Sequence, residues 1–156
     1  MRALALDVGS RTIGLALSDE QGLMASPWEV MRRSGHEADA AEVVRRVVDR
    51  GISTIVVGWP LELNGTTGHR ARLVMRFERV LKALLETRAV ELVRWDERFS
   101  TIAAERSLIE ADMSRARRKR TIDAMAAQFI LQGWLDRQRS DAARASEHLD
   151  ESEGPK

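Results

Sequence analysis

The spacing of apolar positions changes along the chain, and the changes outline its elements. Residues 2–7 (Arg-Ala-Leu-Ala-Leu-Asp) are largely apolar up to a terminal acid and predict a short strand. Gly9-Ser10 predicts a turn, and Ile13 to Leu17 a second strand folded back as a hairpin. Gln21-Gly22 marks another turn before a third strand from Leu23 to Val30. From Glu37 to Arg50 the period lengthens: Ala40, Val43, Val44, Val47 and Val48 recur at helical spacing, and Gly51 closes the helix. Thr54 to Val57 is the β-branched run of a strand buried in a parallel sheet. A loop from Gly58 to Gly68 leads into a helix over 70–87, with Leu73, Phe77, Val80, Leu81 and Leu84 on one side, and Val90 to Trp95 is the last strand. Two further helices, 101–111 and 121–138, flank a basic loop. Residues 140–156 carry almost no large apolar side chains and predict an acidic, disordered tail after a single domain over 1–139. The order β-β-β-α-β-α-β-α-α predicts an α/β fold with one mixed sheet, antiparallel at first and then built by right-handed crossovers.

Composition narrows the function classes. A chain of 156 residues supports one domain with a real core. The absence of cysteine removes thiolate metal sites, disulfides and a cysteine nucleophile. Apolar runs are too short to span a membrane, and Arg2, Asp7, Arg11 and Asp19 interrupt any signal-peptide core, so the expectation is a cytoplasmic protein with no membrane partner. The net charge of +1 conceals an uneven distribution. Arg115, Arg117, Arg118, Lys119 and Arg120 form a basic cluster suited to a polyanion, because neutralising phosphates releases counterions.

Three acids stand where acids are rare. Asp7 ends an apolar strand, Asp96 and Glu97 end the last one, and Asp123 adjoins the stripe of Ile122, Met125, Ala126, Phe129, Ile130 and Trp134. Ala126 and Ala127 would let such a helical acid come close to the sheet. Each acid has an ordinary explanation: Asp7 as a turn former, Asp96 or Glu97 as ion-pair partners of Arg94 or Arg98, Asp123 as an early-helix acid. Taken together, converging carboxylates repel one another unless a cation joins them, and oxygen ligands without Cys or His nearby suit Mg²⁺ or Mn²⁺.

The 58–68 loop lies where open α/β sheets place ligands, and its amides or the following helix N-terminus suit a phosphate. Thr66 or Thr67 equally serves as an N-cap there, as Ser100 or Thr101 does for the next helix. Trp28 and Trp134 read as core, whereas Trp59 is placed to stack on a base. His36, His69 and His148 share no metal-ligand spacing, and His69 is not expected to be catalytic.

Four motifs in order carry a family resemblance: Asp7-Val8-Gly9-Ser10-Arg11-Thr12-Ile13-Gly14-Leu15-Ala16; Gly58-Trp59-Pro60; Asp96-Glu97-Arg98-Phe99-Ser100-Thr101; and Ile122-Asp123-Ala124-Met125-Ala126-Ala127. Over about residues 1–138 the chain resembles the YqgF (RuvX) family. Its members are small bacterial proteins described as pre-16S rRNA nucleases or Holliday junction resolvase homologues with an RNase H-like fold. The resemblance implies a five-stranded mixed sheet flanked by helices and an acidic triad of Asp7, Glu97 and Asp123. Phe99 replaces a common leucine, and Trp59 a smaller aliphatic residue. It further implies catalysis and metal binding by the triad, with two Mg²⁺ or Mn²⁺ ions about 4 Å apart activating water and stabilising the leaving 3′ oxygen. Arg11, Arg98 and the 115–120 cluster would then position the nucleic-acid backbone, with Trp59 stacking on a base.

The leading expectation is therefore a metal-dependent nuclease acting on structured RNA, such as the 5′ end of pre-16S rRNA, with the ribosome as a partner. A Holliday junction resolvase acting on branched DNA is the alternative, and it requires a homodimer rather than a monomer. A non-catalytic RNA-binding assembly factor is a third. The Asp-x-Gly-Ser hairpin also resembles that of actin-like ATPases and sugar kinases, but those enclose ATP between two lobes and this chain has length for one.

Overall fold

The central strand of the sheet is the first one in the chain. In the computed structural model, which describes residues 2–60, 68–97 and 115–152, strand β1 (Arg2–Val8) pairs antiparallel with β2 (Thr12–Ser18). Strand β2 pairs antiparallel with β3 (Ala25–Arg32). On its other side β1 pairs parallel with β4 (Ile52–Trp59), which pairs parallel with β5 (Glu91–Asp96). The resulting order, β3-β2-β1-β4-β5, is the mixed sheet that the element order predicts. Helix α1 (His36–Arg50) connects β3 to β4, and α2 (His69–Leu85) lies between β4 and β5. Helix α3 (Arg115–Ser152) follows. No helix among the described residues is long and apolar enough to cross a membrane.

Alternation along the strands divides the interior into two layers. Leu4, Leu6 and Val8 of β1 pack with Val43 and Val47 of α1 and with Val74, Phe77 and Leu81 of α2. The intervening Ala3 and Ala5 point to the other face and meet Ala126, Ala127, Ile130 and Leu131 of α3. Small residues on both sides of that second layer bring α3 close to the sheet. Gln128 and Gln132 fasten it to the edge: Gln128 Nε2 donates to the Ala25 carbonyl at 3.1 Å, and the Ala25 amide donates to Gln132 Oε1 at 2.9 Å.

Some sequence expectations require correction. Leu84 is exposed, and the buried side of α2 is Ala71, Val74, Phe77, Leu81 and Leu85. Val48 is likewise exposed on α1. Trp59 is the last residue of β4 rather than a loop residue. The expected basic loop at 115–120 is the start of α3, and the tail expected to lack structure is helical through Ser152. Arg, Lys, Ala, Gln and Glu are strong helix formers, no Pro or Gly interrupts residues 134–152, and extending a helix already docked over 122–135 is far easier than nucleating one. Residues 136–150 are exposed throughout, so this extension adds no core. The 101–111 helix, Arg98, Ser100, Thr101, Thr66 and Thr67 lie outside the described residues.

A buried ion pair braces the β1–β2 turn. Arg33 donates from Nε to Asp39 Oδ2 at 2.8 Å and from Nη1 to the Gly9 carbonyl at 2.8 Å, while Asp39 also accepts the backbone amide of Ser34 at 3.0 Å. Both side chains are under one-tenth exposed. Asp39→Asn is expected to lower stability by about 2 kcal/mol, the scale of a hydrogen bond to a charged group, because Arg33 keeps its burial and loses its counter-charge. Urea denaturation of the two proteins side by side measures this, and an unchanged midpoint would refute it.

Candidate active site

The period-2 rule places the acids before any contact is considered. Asp7 shares the parity of Ala3 and Ala5, so it projects from the α3 side of β1 and is only 4% exposed. Glu97, next after β5, shares the parity of Trp95, which packs in the same layer. Strand β4 runs between them, and there the residue is Gly58. A Cβ on Gly58 would lie 3.0 Å from Glu97 Oε1 and 2.5 Å from Ile130 Cδ1, so glycine leaves room for both the carboxylate and α3.

Asp123 reaches the same end of the sheet through another glycine. Gly14 is the antiparallel partner of Asp7 on β2. A Cβ on Gly14 would stand 2.0 Å from the carbonyl oxygen of Asp123, so the first described turns of α3 press directly on β2 there. Thr12 Oγ1 donates to Asp123 Oδ2 at 2.5 Å, which fixes the carboxylate's orientation. Asp7 and Asp123 thus line one open pocket of about 330 Å³, together with Gly9, Ser10, Arg11, Thr12, His69, Arg70 and Leu73.

A guanidinium lies between two of the acids. Arg70, in the first turn of α2, donates from Nη2 to Asp7 Oδ1 at 2.6 Å, and its Nη1 lies 3.6 Å from Glu97 Oε2. Asp7 and Glu97 therefore converge on one positive charge. Among the described residues no three carboxylate or imidazole groups are close enough together to hold one ion as the side chains stand. The donor set still fits a hard divalent cation: two carboxylates already share a cation, a third lines the same pocket, and all donors are oxygen.

The other nominated residues divide. Arg11 is exposed on the pocket wall, as a phosphate contact requires. Trp59 packs against the larger core layer, and the Arg94 guanidinium lies 4.1 Å from its ring centroid, so one indole face is covered. Glu78 holds Arg94 there at 2.8 Å and raises its pKa above the ordinary arginine value through that hydrogen bond. Arg115, Arg117, Arg118, Lys119 and Arg120 occupy the first turns of α3, on the side of the helix N-terminal to Asp123. Sequence reasoning overlooked Arg70, Thr12 and Gly14. A signal for Arg70 existed: His69 and Arg70 open a helix whose first turn contains no acid, against the preference set by the helix dipole.

Comparison with known proteins supplies the family and the fold. The family model RuvX, described as Holliday junction resolvase, matches residues 1–137. A protein of Symbiobacterium thermophilum named "Putative pre-16S rRNA nuclease" is 50% identical over 136 residues, covering 87% of this chain and 92% of the relative. A protein of the same name from Myxococcus xanthus is 45% identical over 139 residues, covering 89% and 90%. Among solved structures, T. thermophilus RuvC in complex with a Holliday junction substrate superposes with a TM-score of 0.61 at 15% identity, over 88% of this chain and 96% of that one. At that identity the likeness establishes the fold, an RNase H-like sheet with its helices.

Proposed function

The chain belongs to the RuvX family, and we propose that it is a metal-dependent nuclease that processes the 5′ end of pre-16S rRNA, with Asp7, Glu97 and Asp123 as its catalytic carboxylates. The observation that supports this reading is that Asp7 and Asp123 line one open pocket, while Arg70 on its wall joins Asp7 to Glu97. Residues 1–139 form the catalytic unit, and the exposed helical extension stands outside it.

Asp7, Glu97 and Asp123 would hold Mg²⁺ or Mn²⁺, and two such ions supply an activated water and stabilisation of the leaving 3′ oxygen. The protein's own contribution is to orient and position. Thr12 holds Asp123 in one rotamer through its hydroxyl. Arg33 holds the Gly9 carbonyl, and with it the turn that carries Ser10 and Arg11 into the pocket. Arg11 meets the phosphate backbone without reading sequence, and the basic cluster at 115–120 adds positive charge just before Asp123 in the chain.

A resolvase is the second reading, favoured by the description of the family model and by the likeness of fold to a junction-bound RuvC. It requires a symmetric dimer that presents two sites to one junction. Both readings are tested by one assay at fixed salt with Mg²⁺ or Mn²⁺, using a pre-16S 5′-end RNA and a synthetic four-way DNA junction. Metal-dependent cutting of the RNA alone is the expected result. Symmetric nicking of the junction would replace it with the resolvase. Binding of either substrate without cleavage by active-metal preparations would favour an assembly factor instead.

A further inference from the structure

We infer that Arg70 is the site's resident counter-cation, an exchangeable guanidinium that neutralises Asp7 and Glu97 and that a divalent ion must displace in order to bind. The inference rests on the metal-site reading above. Asp7 is 4% exposed and Glu97 side-chain exposure is 17%, so two negative charges share a poorly hydrated space at the end of the sheet. Charges so placed need a positive partner. The guanidinium at 2.6 Å from one and 3.6 Å from the other supplies it.

Arg70 differs in kind from the permanent pair elsewhere in the molecule. Arg33 is 9% exposed and is committed on three sides, to Asp39, to the Gly9 carbonyl and to His36 Nδ1. Arg70 is 37% exposed on the wall of an open pocket. One of its nitrogens makes a hydrogen bond to Asp7, whereas the other stands beyond hydrogen-bond distance from Glu97. Its backbone setting opposes it as well, since a cation in the first turn of a helix faces the positive end of the dipole. The local rule is broken where the acids need a charge, which is the pattern of a residue placed for its site rather than for its helix. A long, flexible stem anchored in α2 lets the guanidinium withdraw into the pocket while the helix stays packed through Val74, Phe77 and Leu81.

The consequence is competition. Metal affinity in this protein is the intrinsic affinity of the carboxylates reduced by the work of removing Arg70. Mn²⁺ titration by calorimetry on the full chain tests this with wild type, Arg70→Gln, Arg70→Lys and Asp7→Asn, alongside thermal melts with and without Mn²⁺. Arg70→Gln is expected to bind Mn²⁺ roughly tenfold more tightly, a modest share of what a unit charge a few ångströms away can exert. Its metal-free melting temperature falls, and Mn²⁺ raises it by more than in wild type. Arg70→Lys keeps the charge and stays near wild type in affinity. An Arg70→Gln protein that melts lower yet binds Mn²⁺ no more tightly would make Arg70 a structural ion pair and overturn the inference. Asp7→Asn separates the two layers of the argument: if it binds Mn²⁺ as tightly as wild type, the metal site itself is misplaced and the inference falls with it.

Discussion

Asp7→Asn leaves a folded protein that no longer cleaves. The side chains are nearly isosteric, and Asp7 contributes its charge rather than its bulk to a position that is 4% exposed on the central strand. An amide cannot hold a divalent cation as a carboxylate does, so the rate under single-turnover conditions is expected to drop on the order of 10³-fold or more, the upper scale on which losing one charge-stabilising group acts. The core on either side of β1 is untouched, and Arg70 retains Glu97 as a partner. The melting temperature should therefore stay within a few degrees of wild type. Activity that survives in a pure, folded Asp7→Asn protein would remove Asp7 from the mechanism. Loss of the fold would show that its charge serves stability.

Gly14→Ala is expected to damage both fold and catalysis through one methyl group. That methyl would meet the Asp123 carbonyl oxygen at 2.0 Å and the carbonyl carbon at 2.5 Å, and both belong to helix backbone that no rotamer can move aside. Helix α3 must retreat from β2 by more than an ångström. Overpacking of this kind costs about 3 kcal/mol, which for a chain of this size is a fall of roughly 10 °C in melting temperature. The displacement also carries Asp123 away from Asp7, and a misplacement of that size can cost ~10²-fold in rate. Gly133→Ala is the control. Its methyl would stand 3.0 Å from the Trp95 indole, a side chain rather than helix backbone, ten residues along α3 from Asp123. It should lose some stability and little specific activity. Equal losses in the two variants would mean that Gly14 has no special bearing on Asp123.

Much of this was legible in the sequence because it depends on periodicity. Alternation in β1 and β2, the β-branched run of β4 and the helical spacing of α1 and α2 are written in side-chain order, and each observed element lies within two residues of its expected ends. The mixed character of the sheet followed from hairpins placed before crossovers, since only a long connection can join parallel neighbours. Errors arose where local pattern is permissive. Leu84 fits a helical stripe by spacing, but which arc of α2 is buried depends on how the helix rolls against β1 and α1. A polar composition at 136–152 was compatible with disorder or with a helix sustained by a docked neighbour, and the docking decided it.

By itself the sequence determined the order of the strands along the chain, the mixed sheet they form and the family motifs that single out Asp7, Glu97 and Asp123. All of these follow from residues near one another along the chain. What only the tertiary structure decided is who meets whom: Gly14 beneath Asp123, Gly58 between Asp7 and Glu97, and Arg70 between the same two acids. Arg70 and Asp7 are 63 positions apart, and nothing in local spacing records the match. The physical reason is that a charge's partner is chosen by distance through space and by the absence of water, and both come into being only when the sheet and its helices close around the site.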